Sequence, residues 1–537
     1  MAEAIEPRIE LIGASRRFGE RTAVKALDLT LEPGRIHALI GENGAGKSTA
    51  LKLVAGLLAP SDGEVLVGGT RLDEASPRAA MARGIGMVHQ HFMLVEPFTA
   101  LENLILGAEP VRESPLSRLP FVGALFGGGR LDLDAARREA ERLAAEAGLS
   151  VRLDARVSEL SVGEKQRLEI LRVLFRGAKA ILLDEPTAVL SPLEVGELYA
   201  TLRRLASRGD TVAVVTHRLD EVVRFADDVT VMRHGEKVHA EVLDGDARAH
   251  EEATIRRLTR AVMGGDVPDA TARRPIAEDA PVVLELTDAR VDGTGSRGLA
   301  GVSLRLRAGE IVGVAGIEGN GQRELVTALA GVAPLVAGRV ALDGAPLFTS
   351  HGDAPSRVRE ARRRGLVAVL DDRHHDELVL DATVADNLVL GDLGLAMPGA
   401  AVDADEAALS SRRFERFAVE PRDPSRLGRE LSGGNQQKVV MARALDRSIR
   451  ALVLGQPTRG VDVGTARVIH EAVAEVAARG AAVLVVSADL SELRTLSHRI
   501  VVLSEGKLVA DLPPTATDEA LGRAMLGAYT EAPGGSR

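Results

Sequence analysis

Gly41, Gly46, Lys47 and Ser48 stand at the spacing G-x-x-x-x-G-K-S within Gly41-Glu42-Asn43-Gly44-Ala45-Gly46-Lys47-Ser48-Thr49. The glycines let backbone N–H groups turn inward around phosphate oxygens. A lysine at this place reaches the β- and γ-phosphates, and a hydroxyl beside it takes a place on Mg²⁺. The chemistry on offer is nucleotide binding. Two carboxylates follow at Asp184-Glu185, at the end of the apolar run Ala180-Ile-Leu-Leu. Asp184 is expected to hold Mg²⁺, and Glu185 to orient and polarise a water that attacks the γ-phosphate. His217 ends a further apolar run, Val212-Ala-Val-Val-Thr216, within reach of the same phosphate.

The elements that must position these groups are legible around them. Arg35-Ile-His-Ala-Leu-Ile40 predicts a buried strand entering the loop, and Thr49-Ala-Leu-Lys-Leu-Val54 a helix leaving it. That order turns the positive end of the helix dipole toward the phosphates.

The chain then repeats itself. Gly316 to Glu324, GIEGNGQRE, matches Gly41 to Thr49 at an offset of 275 (316 − 41). Ser432 matches Ser161 and Pro457 matches Pro186, both at 271 (432 − 161). Asn387 matches Asn103 at 284 (387 − 103). In the second copy Lys47 becomes Gln322, Ser48 Arg323, Asp184 Gly455, Glu185 Gln456, His217 Ala488, Gln90 Asp371 and Phe18 Gly293. Arg323 returns a cation one position along, so weak nucleotide binding by the second loop stays open. Leu431-Ser432-Gly433-Gly434-Asn435-Gln436-Gln437 and Pro457-Thr-Arg-Gly-Val-Asp462 are well formed there, whereas the first copy has Val162 and Ser191 at the corresponding places.

Leu160-Ser161-Val162-Gly163-Glu164-Lys165-Gln166-Arg167, placed just before Asp184-Glu185, resembles the signature of ABC ATPases. Gln90 falls at the Q-loop position, and Phe18 at the place of the aromatic that stacks on adenine. The resemblance implies α/β architecture: two tandem P-loop (ABC) domains, each with a mainly parallel sheet, flanking helices, an antiparallel subdomain and a helical subdomain carrying the signature. ABC domains close head to tail, so each nucleotide lies between the loop of one and the signature of the other. On that geometry Ser432, Gly433, Gly434 and Asp462 are expected to serve in trans the ATP held by the first copy. One composite site then gathers Phe18, the loop 41–49, Gln90, Asp184, Glu185 and His217.

The whole pattern is similar to the fused ATPase subunit of bacterial sugar and nucleoside importers, over nearly the full chain. Gly84-Ile-Gly-Met-Val-His-Gln-His-Phe-Met-Leu94 and Pro186-Thr-Ala-Val-Leu190 look most like the nucleoside branch. This implies transmembrane permease partners and, through them, an extracytoplasmic substrate-binding lipoprotein. A tandem ABC protein acting on ribosomes is the alternative; such chains resemble two competent loops on a long charged linker. A non-hydrolysing assembly protein is a further one, against which Lys47, Asp184, Glu185 and His217 speak.

The bounds agree. The 537 residues suit two domains, expected at 1–263 and 282–527 around a linker at 264–281, with a disordered tail at 528–537. Net charge is −10, which argues against a general nucleic-acid binder, and there is no cysteine. No signal peptide is evident, and no apolar run nears the roughly 20 residues of a spanning helix. The expected place is the cytoplasmic face of the membrane, reached through partners. His89/His91 and His374/His375 lack a ligand set, so Mg²⁺ is expected to arrive with ATP. The segment Glu109 to Arg130 is expected to pack on its own helical arm, with a membrane-side contact as the alternative for its apolar stretch Leu119–Phe126.

Overall fold

Strands Ile36–Gly41, Ala180–Asp184 and Thr211–Val215 are buried at every position. Unbroken apolar runs of this kind belong in the middle of a parallel sheet covered on both faces. A computed structural model of the chain places them there. It describes residues 8–19, 21–42, 44–72, 76–90, 92–112, 130–187, 190, 192–265, 274–277, 279–293, 297–317, 319–348, 353–391 and 404–527. The chain divides into two compact units, 1–267 and 268–537.

In the first unit the six-stranded sheet runs Glu236–Val242, Asp228–Arg233, Ile36–Gly41, Thr211–Val215, Ala180–Asp184, Ile85–Val88. All neighbours are parallel except the first pair. A four-stranded antiparallel sheet, ordered Arg21–Leu31, Ile9–Phe18, Asp62–Val67, Thr70–Arg71, forms the subdomain. Helices Ala100–Ile105, Leu133–Ala147 and Val162–Phe175 join the core through Leu101, Leu104, Ala136, Ala140, Leu168 and Leu171.

The second unit repeats the plan. Its six strands run Leu366–Val369, Ala451–Gly455, Ala482–Val486, Ile311–Ala315, Arg499–Ser504, Lys507–Leu512. Its four-stranded sheet runs Leu299–Arg307, Val282–Val291, Ala337–Leu342, Ala345–Phe348. Its helical part is Val384–Val389, Ala404–Arg416 and Gly433–Leu445. The fold expected from sequence is the fold observed.

Asn103 and Asn387 show why the repeat stays readable outside the loop. Each is buried behind a capping box, Thr99/Glu102 or Thr383/Asp386. Asn103 accepts from Val95 N at 2.8 Å and donates to Val95 O and Thr99 O. Asn387 makes the same bonds to Val379 and Thr383. A buried amide that ties its own loop to its own helix leaves no apolar substitute.

Asn43, His91 and Ser191 lie outside the described residues, as do half of the linker (266–273 and 278), positions 113–129 of the expected insertion and the tail 528–537. Among the described residues, no helix is long and apolar enough to cross a membrane.

Candidate functional site

The loop of the first unit turns on Gly46, with φ 100°, which caps helix Lys47–Val54. A Cβ there would stand 2.3 Å from the carbonyl oxygen of Ala23, so the hairpin from Ile9 to Leu31 passes too close for any side chain. Lys47 is 5% exposed, and its ammonium donates to Gly41 O at 2.7 Å and Glu42 O at 2.9 Å. Gly41, Glu42, Gly44, Ala45 and Thr49 complete the described part of the loop.

Ser48 follows on the first helical turn, and its Oγ donates to Asp184 Oδ1 at 3.0 Å. Burial pushes the Asp184 carboxyl above its ordinary range, tempered by that hydrogen bond. A dry carboxylate next to a hydroxyl, both at strand and helix ends beside the loop, fits Mg²⁺ that brings phosphate and water as its other ligands. Among the described residues no group of three or more His, Cys, Asp or Glu forms a site for a resident metal.

Glu185 is the next residue, and its backbone is left-handed, φ 49°. Its N–H bonds back to Val215 O at 2.9 Å. The turn aims the carboxylate out of the sheet, at a conformational cost of roughly 1 kcal/mol. Gln90 Nε2 donates to Oε2 at 3.0 Å, and His217 Nδ1 lies 3.4 Å from Oε1. The contact with His217 holds the Glu185 carboxyl below its ordinary range against the effect of burial. Glu185 is therefore a fixed, ionised acceptor.

Behind His217 lies a network that sequence reasoning missed. Thr187 Oγ1 donates to Glu221 Oε2 at 2.9 Å, and Arg218 pairs with Glu221 Oε1 at 3.0 Å. The second unit keeps the threonine–glutamate bond as Thr458–Glu492 at 2.8 Å, with His470 Nε2 3.0 Å from the same carboxylate. Its trace in the sequence is a glutamate at matching distance in both copies. Phe18 ends its strand 47% exposed, with the Arg16 guanidinium 4.8 Å from its ring centroid. It joins no hydrogen-bonded part of the cluster described above.

The second unit keeps the backbone and changes the chemistry. Gly321 has φ 107°, and Gln456 keeps the left-handed turn at φ 48° with its N–H on Val486 O. Gln322 takes the place of Lys47: its amide donates to Ile317 O at 2.7 Å and accepts from Asn320 N at 3.1 Å. Gln456 Oε1 accepts from Ala488 N at 3.1 Å. Arg323, which the sequence offers as a spare cation for phosphate, instead pairs with Asp376 at 3.2 Å and lies 3.9 Å from Asp371.

The signature helix of this unit begins at Ser432, whose Oγ accepts from Asn435 N and Asn435 Nδ2. A Cβ on Gly433 would stand 2.7 Å from the Arg373 guanidinium, and one on Gly434 3.1 Å from Asp462 Oδ2. Asp462 caps helix Val463–Ala478 and accepts from Thr465 N and Oγ1. Ser432, Gly433, Gly434 and Asp462 thus form one cluster. In the first unit Ser161 closes a capping box with Glu164, and Val162 is exposed.

Each signature helix also grips the segment that follows Gln90 or its counterpart. Arg172 donates to Met93 O at 2.7 Å while Glu169 accepts from Met93 N at 2.6 Å. Arg443 donates to Glu377 O at 2.9 Å and pairs with the Glu377 carboxylate. The carboxylate has moved from helix to segment, which hides the correspondence from sequence.

The family pattern described as ABC transporter matches residues 24–188 and 299–459. The chain is 40% identical over 529 residues to the nucleoside import ATP-binding protein NupA of Lactococcus lactis, covering 98% of this chain and 99% of that one. It is 37% identical to a glucose import ATP-binding protein of Haloferax volcanii, over 97% of this chain and 96% of that one. Among solved structures, the archaeal ribosome recycling factor in complex with a ribosomal stalk protein superposes with a TM-score of 0.62 at 19% identity, over 96% of this chain and 92% of that one. At that identity the likeness is one of fold.

Proposed function

This chain belongs to the ABC transporter family, and from that premise we propose that it is the ATP-hydrolysing subunit of a nucleoside importer with one competent composite ATP site. The observation that carries the reading is the pair of complementary clusters. Ser48, Gln90, Asp184, Glu185 and His217 are assembled only in the first unit. Ser432, Gly433, Gly434 and Asp462 are assembled in the second, where Gln322, Arg323 and Gln456 replace the catalytic set.

In this mechanism Phe18 stacks on adenine, and the loop 41–49 wraps the phosphates with backbone N–H groups and Lys47. Asn43 is assigned to that loop by its sequence position. Ser48, Asp184 and the side-chain oxygen of Gln90 would hold Mg²⁺, which neutralises charge on the phosphates. Glu185 accepts a hydrogen bond from the attacking water and takes its proton as the water oxygen bonds to the γ-phosphorus. The bond from that phosphorus to the β–γ bridging oxygen breaks, releasing ADP and phosphate. His217 orients Glu185 and donates toward the γ-phosphate. Ser432, Gly433 and Gly434 bind the same γ-phosphate from the opposite side, and Asp462 fixes their approach.

Energy leaves through the segments after Gln90 and Asp371 to transmembrane permease subunits at the cytoplasmic face of the membrane. An extracytoplasmic binding protein supplies the cargo to those permeases. Met93, 60% exposed on such a segment, and the exposed Phe98 support a partner docking there. A nucleoside cargo rests on the Lactococcus relative; the Haloferax relative favours a simple sugar as second reading. Uptake of labelled nucleoside and labelled glucose, in cells with and without the gene, tests the cargo. Loss of nucleoside uptake alone supports the first reading, and loss of glucose uptake alone the second.

A further inference from the structure

Arg323 stands where the first unit has Ser48, and Asp371 where it has Gln90. In the first unit these two positions are expected to meet through Mg²⁺. In the second they meet directly: Arg323 lies 3.9 Å from Asp371 Oδ1 and 3.2 Å from Asp376 Oδ2. Asp371 Oδ1 is buried and has no hydrogen-bond partner among the described residues, so the guanidinium answers a charge otherwise left alone.

Asp376 belongs to a single π-type turn, Arg373–Glu377, capped by the Asp372 carboxylate. This turn meets the signature helix Gly433–Leu445 at three places. Arg373 abuts Gly433 and donates to Arg459 O at 2.9 Å. His374 Nε2 bonds Gln436 Oε1 at 2.8 Å. Glu377 pairs with Arg443. The turn is therefore clamped between the loop position on one side and the signature glycine on the other.

We propose that Arg323 is a built-in cation that replaces the nucleotide-borne metal in the second unit and holds the turn Arg373–Glu377, and with it Gly433, in place whether or not nucleotide is present. Arg323 and Arg373 are positioning residues: they touch no reacting atom and act through the signature. In the first unit Ser48 and Gln90 each bond their own carboxylate, Asp184 and Glu185, whereas the second unit joins the two matching positions to each other by charge. The part that reaches across to the other unit's ATP is thus preformed. This last consequence rests on the composite-site reading above; the clamp itself does not.

Hydrogen–deuterium exchange on the full chain, nucleotide-free and in EDTA, tests the clamp. Arg323→Ser and Asp376→Asn are expected to speed exchange about two- to fivefold in 371–377 and 432–436, the range of an exposed ion pair. Arg323→Lys is expected to retain most of the protection. Unchanged exchange in both disruptive variants would overturn the proposal, as would acceleration spread evenly over strands 451–455 and 482–486. ATPase activity of the same variants with permeases separates the two readings. Faster exchange with reduced ATPase supports both. Faster exchange with full ATPase keeps the clamp and removes the role of the second signature in hydrolysis.

Discussion

Gln90 and Glu185 are hydrogen-bonded, Nε2 to Oε2 at 3.0 Å, although 95 residues separate them. The bond joins the segment that would carry force to a partner with the group that would activate water. His217 holds the other carboxylate oxygen. On the proposed mechanism chemistry and transmission would share one side chain, and a change at either end would be felt at the other.

Glu185→Gln preserves shape and hydrogen bonding but removes the proton acceptor. ATPase activity should fall about 10²- to 10⁴-fold, the usual worth of a general base, while ATP binding is retained. Gln456→Ala, at the matching turn, should change activity less than twofold by the same measure, since no base stands there. Steady-state ATPase assays on the permease complex check both; equal losses would refute a single competent site.

Gly433→Val gives the second signature the residue that the first carries at Val162. Its Cβ would meet Arg373 at 2.7 Å, and on the proposed mechanism its methyls would crowd the γ-phosphate. ATPase should drop at least ~10-fold, as it should for Ser432→Arg. Val162→Gly should leave the rate unaltered. If the two signatures tolerate substitution equally, the assignment in trans is wrong.

Nucleotide stoichiometry follows from the two loops. Equilibrium dialysis should find one Mg-ATP per chain, abolished by Lys47→Ala and weakened by EDTA. Gln322→Lys combined with Arg323→Ser should move the number toward two. Two equivalents in the unmodified chain would show that Gln322 and Arg323 do not close the second loop.

Acid sensitivity should differ between the signatures. Arg152, with the Ser161 hydrogen bonds, holds the Glu164 carboxyl down at about 2. A value depressed in the folded state stabilises fully above the ordinary carboxylate range, and the benefit drains away as pH falls toward 2. Arg152 is more than half exposed, so Glu164→Gln should cost only about 1 kcal/mol at neutral pH. Urea denaturation should find that difference shrinking below about pH 4 and most of it gone at about pH 2. A cost independent of pH would sink the assignment. The second signature has Asn435 at this position, which cannot titrate.

The sequence by itself determined whatever depends on contiguous residues. Gly41 to Thr49 sets a loop between strand and helix because turn, dipole and cation all fall within nine positions. The apolar runs before Asp184 and His217 required buried parallel strands, and the offsets between copies disclosed the duplication. Only the tertiary structure decided the pairs that cross the sheet. Ser48 meets Asp184 across 136 positions because strand 211–215 lies between strands 36–41 and 180–184, bringing all three ends to one edge. The same holds for Thr187 with Glu221, and for Arg373 against Gly433. Arg323 is the sharpest case. In the sequence it is a cation beside a phosphate loop; in the fold it is spent on Asp371 and Asp376. A local pattern fixes which groups are present, but strand order and the turn at 373–377 fix which charge each one faces.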